Sequence, residues 1–296
     1  MGEIVTPRPA ATVVVLRDRS GGAGIEVYLQ RRPRSMGFAG GVWVFPGGSV
    51  NEADRDPAID GSWVGPVPTA WAERLGVGVD EARGLVVAAC RETFEEAGLL
   101  LAEPLPAAGE LAAARRALLG GATSFAAVLA DLGVMLDTAR LRYWAWWLTP
   151  ETEPRRYDTR FFVAGLPPGA AATANATEAE RERWLPPATA IALGDALPLL
   201  PPTFCTLRDL AGYRGVGEVL AAGEDRVVER VMPWFDGDEL VMPWRERFPV
   251  PAVLLEAQRQ GRGRGGSGAS SSEAPTAAPR RDAGPGVGPP ASRAGR

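Results

Sequence analysis

The sequence predicts a mixed α/β or α+β sandwich. Three observations carry that expectation. Short runs rich in β-branched and aromatic residues recur along the chain. Stretches with helical periodicity lie between them. Gly- and Pro-containing turns separate the two kinds of segment, and no internal repeat is visible.

Thr12 to Leu16 and Ile25 to Leu29 read as two strands joined by the SGGAG turn. Val42 to Phe45 is a third strand, closed by a sharp turn through Pro46, Gly47 and Gly48. A helix is expected over residues 80–97, with Asp80 as N-cap and Gly98 just past its end. Two more helices, Gly109 to Leu119 and Ser124 to Leu132, flank Gly120-Gly121. Leu141 to Leu148 (LRYWAWWL) reads as a strand whose aromatics fill a sheet core. Arg160 to Ala164 and Arg183 to Leu185 are two further short strands. Residues 256–296 are Gly, Ser, Pro, Ala and Arg with few apolar anchors, so they read as a disordered tail after a globular domain of 1–255. The GRGRGG piece carries a weak RNA-binding signal, set against a merely solvated tail.

All 32 basic residues are arginine, and the chain has no histidine and no lysine. A Ser-His-Asp or Cys-His nucleophile, a histidine zinc site, a Schiff-base lysine and a Walker A lysine are therefore excluded. GC-rich coding accounts for the missing lysines, but the missing histidines constrain mechanism whatever their origin. Chemistry must rest on carboxylates, arginines and backbone groups, with or without a bound metal. Two cysteines, Cys90 and Cys205, do not make a disulfide framework and fit a reducing, cytoplasmic setting. Cys90 reads as a small packed residue. No stretch approaches the ~18–20 apolar residues of a membrane helix. The net charge of -4 argues against general nucleic-acid binding.

On a helical wheel, Leu85, Ala89, Thr93, Phe94 and Ala97 fall on one side of the 80–97 helix. Glu92, Glu95 and Glu96 fall within an arc of roughly 100° beside them. These carboxylates repel one another, and they sit near the helix end where negative charge is unfavourable. Arg91 can offset part of this through an i,i+4 pair with Glu95. Such a cluster is either a solvated acidic face or a site for a divalent cation, for which oxygen donors suit Mg²⁺ or Mn²⁺.

Upstream, Phe45-Pro46-Gly47-Gly48 is followed by five residues and then Asp54. Together with Arg91-Glu92-Thr93-Phe94-Glu95-Glu96-Ala97-Gly98-Leu99, this resembles the signature of the Nudix hydrolases, Gly-x5-Glu-x7-Arg-Glu-aliphatic-x-Glu-Glu-x-Gly-aliphatic. Three departures stand out. Asp54 replaces the first Glu, Thr93 replaces an aliphatic residue, and Arg91 follows Asp54 by 37 positions instead of 8, which leaves 29 extra residues inside the box. The insertion, about 55–82, carries Trp63 and Trp71 and can be spliced in cheaply because loop-closure entropy grows only logarithmically. A split box with QRRPRSMGFAGGVWVFPGG before it and RRYDTRFFVA and LPPT after it looks like the branch that includes a coenzyme A diphosphatase.

The resemblance implies a Nudix-type α/β/α sandwich with a mixed sheet, a helical insertion within the box and extra helices after it. It implies hydrolysis of a pyrophosphate bond in a nucleoside diphosphate linked to another moiety. Mg²⁺ or Mn²⁺ would be held by Glu92, Glu95, Glu96 and the Gly48 carbonyl. Gly47, Asp54, Arg91 and Gly98 would be structural box residues, with Asp54 paired to Arg91. Arg31, Arg32, Arg34 and Arg160 are candidates for phosphate contacts, as are Arg155 and Arg156. Glu178 is the first choice of general base, with Glu180 and Glu182 competing. Coenzyme A or acyl-coenzyme A is the favoured substrate, although Gly37 stands where related coenzyme A hydrolases carry an arginine. ADP-ribose, dinucleotides, nucleotide sugars and a non-catalytic sensing role are the alternatives. The C-terminal Ala294-Gly295-Arg296 is not a peroxisomal tripeptide. No membrane partner is expected, and the oligomeric state stays open, a homodimer included.

Overall fold

The computed structural model describes residues 4–35, 40–175, 177, 179–237 and 239–249. The expected tail, Glu178 and Gly37 lie outside the described residues.

The first strands are β1 (Arg8–Asp18), β2 (Ile25–Arg31), β3 (Trp43–Val44) and β4 (Gly47–Ser49). Next come β5 (Trp63–Val64), α1 (Pro68–Leu75), α2 (Val79–Ala97) and β6 (Ala102–Glu103). They are followed by α3 (Ala108–Leu119), α4 (Phe125–Leu132), β7 (Met135–Asp137), β8 (Leu141–Leu148), β9 (Tyr157–Gly165) and β10 (Arg181–Leu185). The remaining elements are α5 (Pro187–Ala192), α6 (Pro201–Leu210), α7 (Val216–Ala222), β11 (Arg230–Val231), β12 (Trp234–Asp236), β13 (Glu239–Val241) and β14 (Arg247–Pro249).

The main sheet has eight strands in the order β10-β2-β1-β9-β8-β11, with β3 beside β2 and β4 beside β1. It is mixed. β1 and β9 run parallel from Arg8↔Tyr157 to Leu16↔Gly165, whereas β1/β2, β8/β9 and β10/β2 are antiparallel. Strand alternation sends Ala11, Val13 and Val15 to one core and Val14 and Leu16 to the other. The first core includes Trp71, Leu85, Phe94, Phe125 and Val128 of α1, α2 and α4. The second includes Ala190, Leu207, Leu210 and Val219 of α5, α6 and α7. The sheet is thus covered on both faces, the α/β/α sandwich expected from sequence.

Leu141–Leu148 forms the strand read from its aromatics, with one irregularity. A β-bulge between Tyr143 and Ala145 puts Trp144 and Ala145 on the same side. Tyr143 and Trp146, an odd and an even position, consequently both face the α2 layer.

The insertion is a compact excursion. It holds a 3-10 turn (Pro57–Ser62), β5 and α1, and Ile59, Trp63 and Trp71 are buried in the α2-side core. Trp71 meets Phe162 of β9 edge-on at 5.8 Å. Truncating a buried tryptophan of this kind to Ala costs about 3–5 kcal/mol. β5, β6 and β7 form a small second sheet, and β12, β13 and β14 a third; neither was legible in advance.

Candidate active site

Helix α2 carries the carboxylates, and its start corrects the expected cap. Gly78, not Asp80, is the N-cap. Asp80 lies in the first turn and accepts from Arg83 Nη1 at 2.6 Å, while its charge still complements the helix N-terminus. Gly84 lets the 3-10 turn Glu52–Arg55 close on the helix, because a Cβ there would lie 2.8 Å from Val50 Cγ1 and 2.9 Å from Arg55 Cγ. At the other end Gly98 adopts a left-handed conformation with φ 69°. The final carbonyls are all answered. Gly98 N–H donates to Phe94 O, Asn175 N–H to Glu96 O and Thr173 N–H to Ala97 O. Arg115 of α3 donates to Glu95 O from Nε at 3.0 Å and Nη2 at 2.8 Å. A cation at the negative end of the helix also offsets part of the field that the carboxylates create there.

Arg91 organises the box. Its Nε and Nη2 donate to the two oxygens of Asp54 at 2.8 and 2.9 Å, and Nη2 also donates to Ser49 O at 3.0 Å. Its Nη1 donates to Glu92 Oε1 and Glu95 Oε2, each at 2.8 Å. All five N–H donors of the guanidinium therefore have acceptors. Burial opposes the charge on Arg91, but Asp54, Glu92 and Glu95 outweigh it and hold the group above its ordinary pKa. Asp54 also accepts from Asn51 N–H at 2.7 Å, so its shorter side chain reaches Arg91 because its own turn presents it.

Gly47 and Gly48 are not the sharp turn expected from sequence. They lie in β4, which pairs with β1 through Gly48↔Ala11 and Gly47↔Thr12. Their missing side chains serve close approach. A Cβ on Gly47 would lie 2.5 Å from Ala11 O, and one on Gly48 would overlap the Glu92 carboxylate. Gly47 N–H donates to Glu96 Oε2 at 3.0 Å, and Gln30 Nε2 donates to the same oxygen. Glu96 is buried, and Glu92 and Glu95 are nearly so, with side chains 14% and 18% exposed. Thr93, where an aliphatic residue is usual, enters the core by donating its hydroxyl to Ala89 O at 2.7 Å.

Among the described residues, no group of three or more Asp, Glu, Cys or His forms a ready metal centre. The donor set nonetheless fits a hard divalent cation. It is all oxygen, it borders the backbone of β4 where a Cβ would intrude on Glu92, and it gathers more carboxylates than Arg91 alone neutralises.

The arginine candidates separate. Arg160 is buried, stacked 3.7 Å over Trp146 and ion-paired to Asp158. Its register with Ala11, itself opposite Gly48, places it two strands from the glycines on the same face. Arg31 alternates with Gln30 and so points to the opposite face, donating to Gly41 O at 3.0 Å. Arg34 N–H donates to Glu180 at 3.0 Å, and Arg32 Nε is buried without a partner among the described residues. Arg156 is buried and clamps Val5 O and Thr149 O, while Arg155 is exposed beside the same cleft. Sequence reasoning missed Gln30 and Arg115. Gln30 had a signal, a polar residue at the inward parity of an otherwise apolar strand; Arg115 had none. Cys90 is fully buried, and burial raises its thiol pKa well above the ordinary range, as a packed residue requires.

Carboxylates bound by a split glutamate box on an α/β/α sandwich are the arrangement of a phosphoanhydride hydrolase, and the comparisons agree. The family described as NUDT19 Nudix domain matches residues 66–210, which includes α2 and excludes Gly47, Gly48 and Asp54. The acyl-coenzyme A diphosphatase NUDT19 of Gallus gallus is 29% identical, over 75% of this chain and 72% of that protein. Its Homo sapiens counterpart is 28% identical, over 71% and 67% respectively. The crystal structure of a Nudix hydrolase from Alicyclobacillus acidocaldarius superposes with a TM-score of 0.62 at 28% identity, covering 74% of this chain and 97% of that one. These matches support a Nudix family member and indicate a Nudix pyrophosphohydrolase, an enzyme that cleaves the phosphoanhydride bond of small nucleotide derivatives. Enzymes of this family generally use divalent metal ions.

Proposed function

We propose that the substrate is coenzyme A or an acyl-coenzyme A, cleaved at its diphosphate to a nucleotide and a phosphopantetheine. The similarity to acyl-coenzyme A diphosphatases across three quarters of the chain carries this reading. Glu92, Glu95, Glu96 and the Gly48 carbonyl would hold Mg²⁺ or Mn²⁺. When bound, the cation neutralises pyrophosphate charge and lowers the pKa of a coordinated water. The chain's own residues set the geometry. Arg91 fixes two of the carboxylates, Gln30 and Gly47 fix the third, and Arg115 with the 173–175 segment fixes the helix end.

The test is a panel of coenzyme A, acyl-coenzyme A, NADH, ADP-ribose and nucleotide sugars, each with Mg²⁺ or Mn²⁺. The reading expects the highest kcat/KM on coenzyme A or its thioesters. A preference of tenfold or more for any other diphosphate would overturn it.

A further inference from the structure

The edge strand β10 places one more carboxylate beside the box. Glu182 stands opposite Gln30 in the β10/β2 register. Paired residues on one face have Cβ atoms about 4.5–5.5 Å apart, and Gln30 is the residue whose Nε2 donates to Glu96. Glu182 is therefore one side chain away from the carboxylate cluster, on the α2 face of the sheet. One of its oxygens, Oε2, is held twice. Tyr28 Oη donates to it at 2.8 Å, and Ala174 N–H donates to it as well. The other oxygen, Oε1, has no partner among the described residues, and the residue is exposed. This is a carboxylate oriented at one oxygen and open at the other.

Tyr28 is suited to the clamp. It is fully buried, and its ring packs 5.4 Å from Trp184, so its position is set by the core. Burial, the Glu182 hydrogen bond and the charges of Glu182 and Glu96 push its phenol far above the ordinary range, against a smaller opposing pull from Arg115. It stays a donor at every working pH. Gln30 Oε1 is buried without a partner among the described residues, so the side chain between Glu96 and Glu182 has acceptor capacity to spare.

We propose that Glu182 is a catalytic residue of the hydrolysis and Tyr28 the positioning residue that aims it. Glu182 Oε1 takes a proton from the attacking water as that water's oxygen bonds to phosphorus. The bridging P–O bond breaks, and the departing phosphate keeps the electron pair. The proposal rests on the pyrophosphohydrolase reading and is indifferent to which diphosphate is preferred. Glu178, outside the described residues, and Glu180, whose Oε1 accepts from Arg34 N–H, are the competing carboxylates.

Steady-state kinetics on the best substrate of the panel, with melting curves, tests this. Glu182→Gln keeps the acceptor oxygen for Tyr28 and Ala174 but loses basicity. It should lower kcat about 100-fold or more with KM within about threefold and no loss of melting temperature. Glu182→Asp should recover part of the rate. Tyr28→Phe keeps the ring and should lower kcat about tenfold at unchanged KM. Because Tyr28 acts through Glu182, the double variant should be no slower than Glu182→Gln alone. A kcat for Glu182→Gln within threefold of wild type overturns the catalytic role, and multiplicative losses in the double variant overturn the positioning role. A wild-type chain that cleaves nothing in the panel would sink the hydrolase reading itself, and this proposal with it.

Discussion

Asp54 grips Arg91 through both carboxylate oxygens across 37 residues of sequence, and neither side chain is more than 8% exposed. The contact closes the insertion at its base and fixes the helix that bears Glu92, Glu95 and Glu96. Removing Asp54 strips the buried guanidinium of the carboxylate acceptors of its Nε and Nη2 and leaves its charge to Glu92 and Glu95 alone, the costly direction for such pairs. Asp54→Ala should lower unfolding free energy by about 3–5 kcal/mol. Urea unfolding with an unchanged m-value checks this; a loss below 1 kcal/mol would show that Glu92 and Glu95 suffice to hold Arg91.

The box glutamates should separate activity from stability. Glu95→Gln and Glu96→Gln should each lower kcat by at least about 100-fold, the scale of losing a few kcal/mol of transition-state stabilisation. In Glu96→Gln the amide oxygen can still accept from Gly47 N–H, so the unfolding midpoint should barely move. Chelation should abolish turnover, and Mg²⁺ or Mn²⁺ should restore it. Near-wild-type rates in both variants would rule out the ligand set.

Two neighbouring glycines should behave differently when changed to Ala. At Gly47 the new Cβ meets backbone, 2.5 Å from Ala11 O and 2.7 Å from Thr12 Cα, so β4 must shift. A loss of about 1–3 kcal/mol in stability is expected. At Gly48 it meets the end of a flexible side chain, the Glu92 carboxylate, which can swing away. Stability should change by less than about 1 kcal/mol, while kcat falls more than tenfold. Parallel melting curves and kinetics distinguish the two.

Tyr143 supplies a pH dependence. Burial raises its phenol from 10.0 to about 12, with Arg160 pulling down and Asp158 pushing up by less. The folded state keeps the proton longer than the unfolded one. The associated stability is fully present below pH 10 and is lost as pH rises towards 12. Denaturant unfolding between pH 9 and 12 should show this decline, and Tyr143→Phe should make it shallower, Tyr28 and the buried thiols of Cys90 and Cys205 contributing the rest. An equal slope in both proteins would assign the decline to other groups.

The carboxylate helix and the long strands were legible because periodicity and β-branched composition coincide with burial there. The glycine pair was misread because local propensity disfavours Gly in strands. Here the close approach of β1 and of Glu92 overrides that preference, and only the tertiary neighbours reveal it. The N-cap was misplaced for a similar reason. Asp80 has capping chemistry, but its partner is Arg83. The strands of two or three residues, such as β5, β6 and β7, are too short to carry a pattern. The grouping of Gln30, Tyr28 and Glu182 depends on β10 returning to the edge beside β2, and no local signal encodes that pairing.

The parallel ladder between β1 and β9 has a consequence for how the enzyme comes into being. Its first pair joins Arg8 to Tyr157 and its last joins Leu16 to Gly165. At ~5–20 residues per second of synthesis, the N-terminal strand waits roughly 7–30 s for its central partner. In the second half of that interval α2 has emerged with its apolar face and its charged one, but the sheet beneath it is incomplete. A nascent chain released before residue 165 would leave the β9 side of β1, a strand of Val, Leu and Ala, as an open edge, a template for association with its own kind.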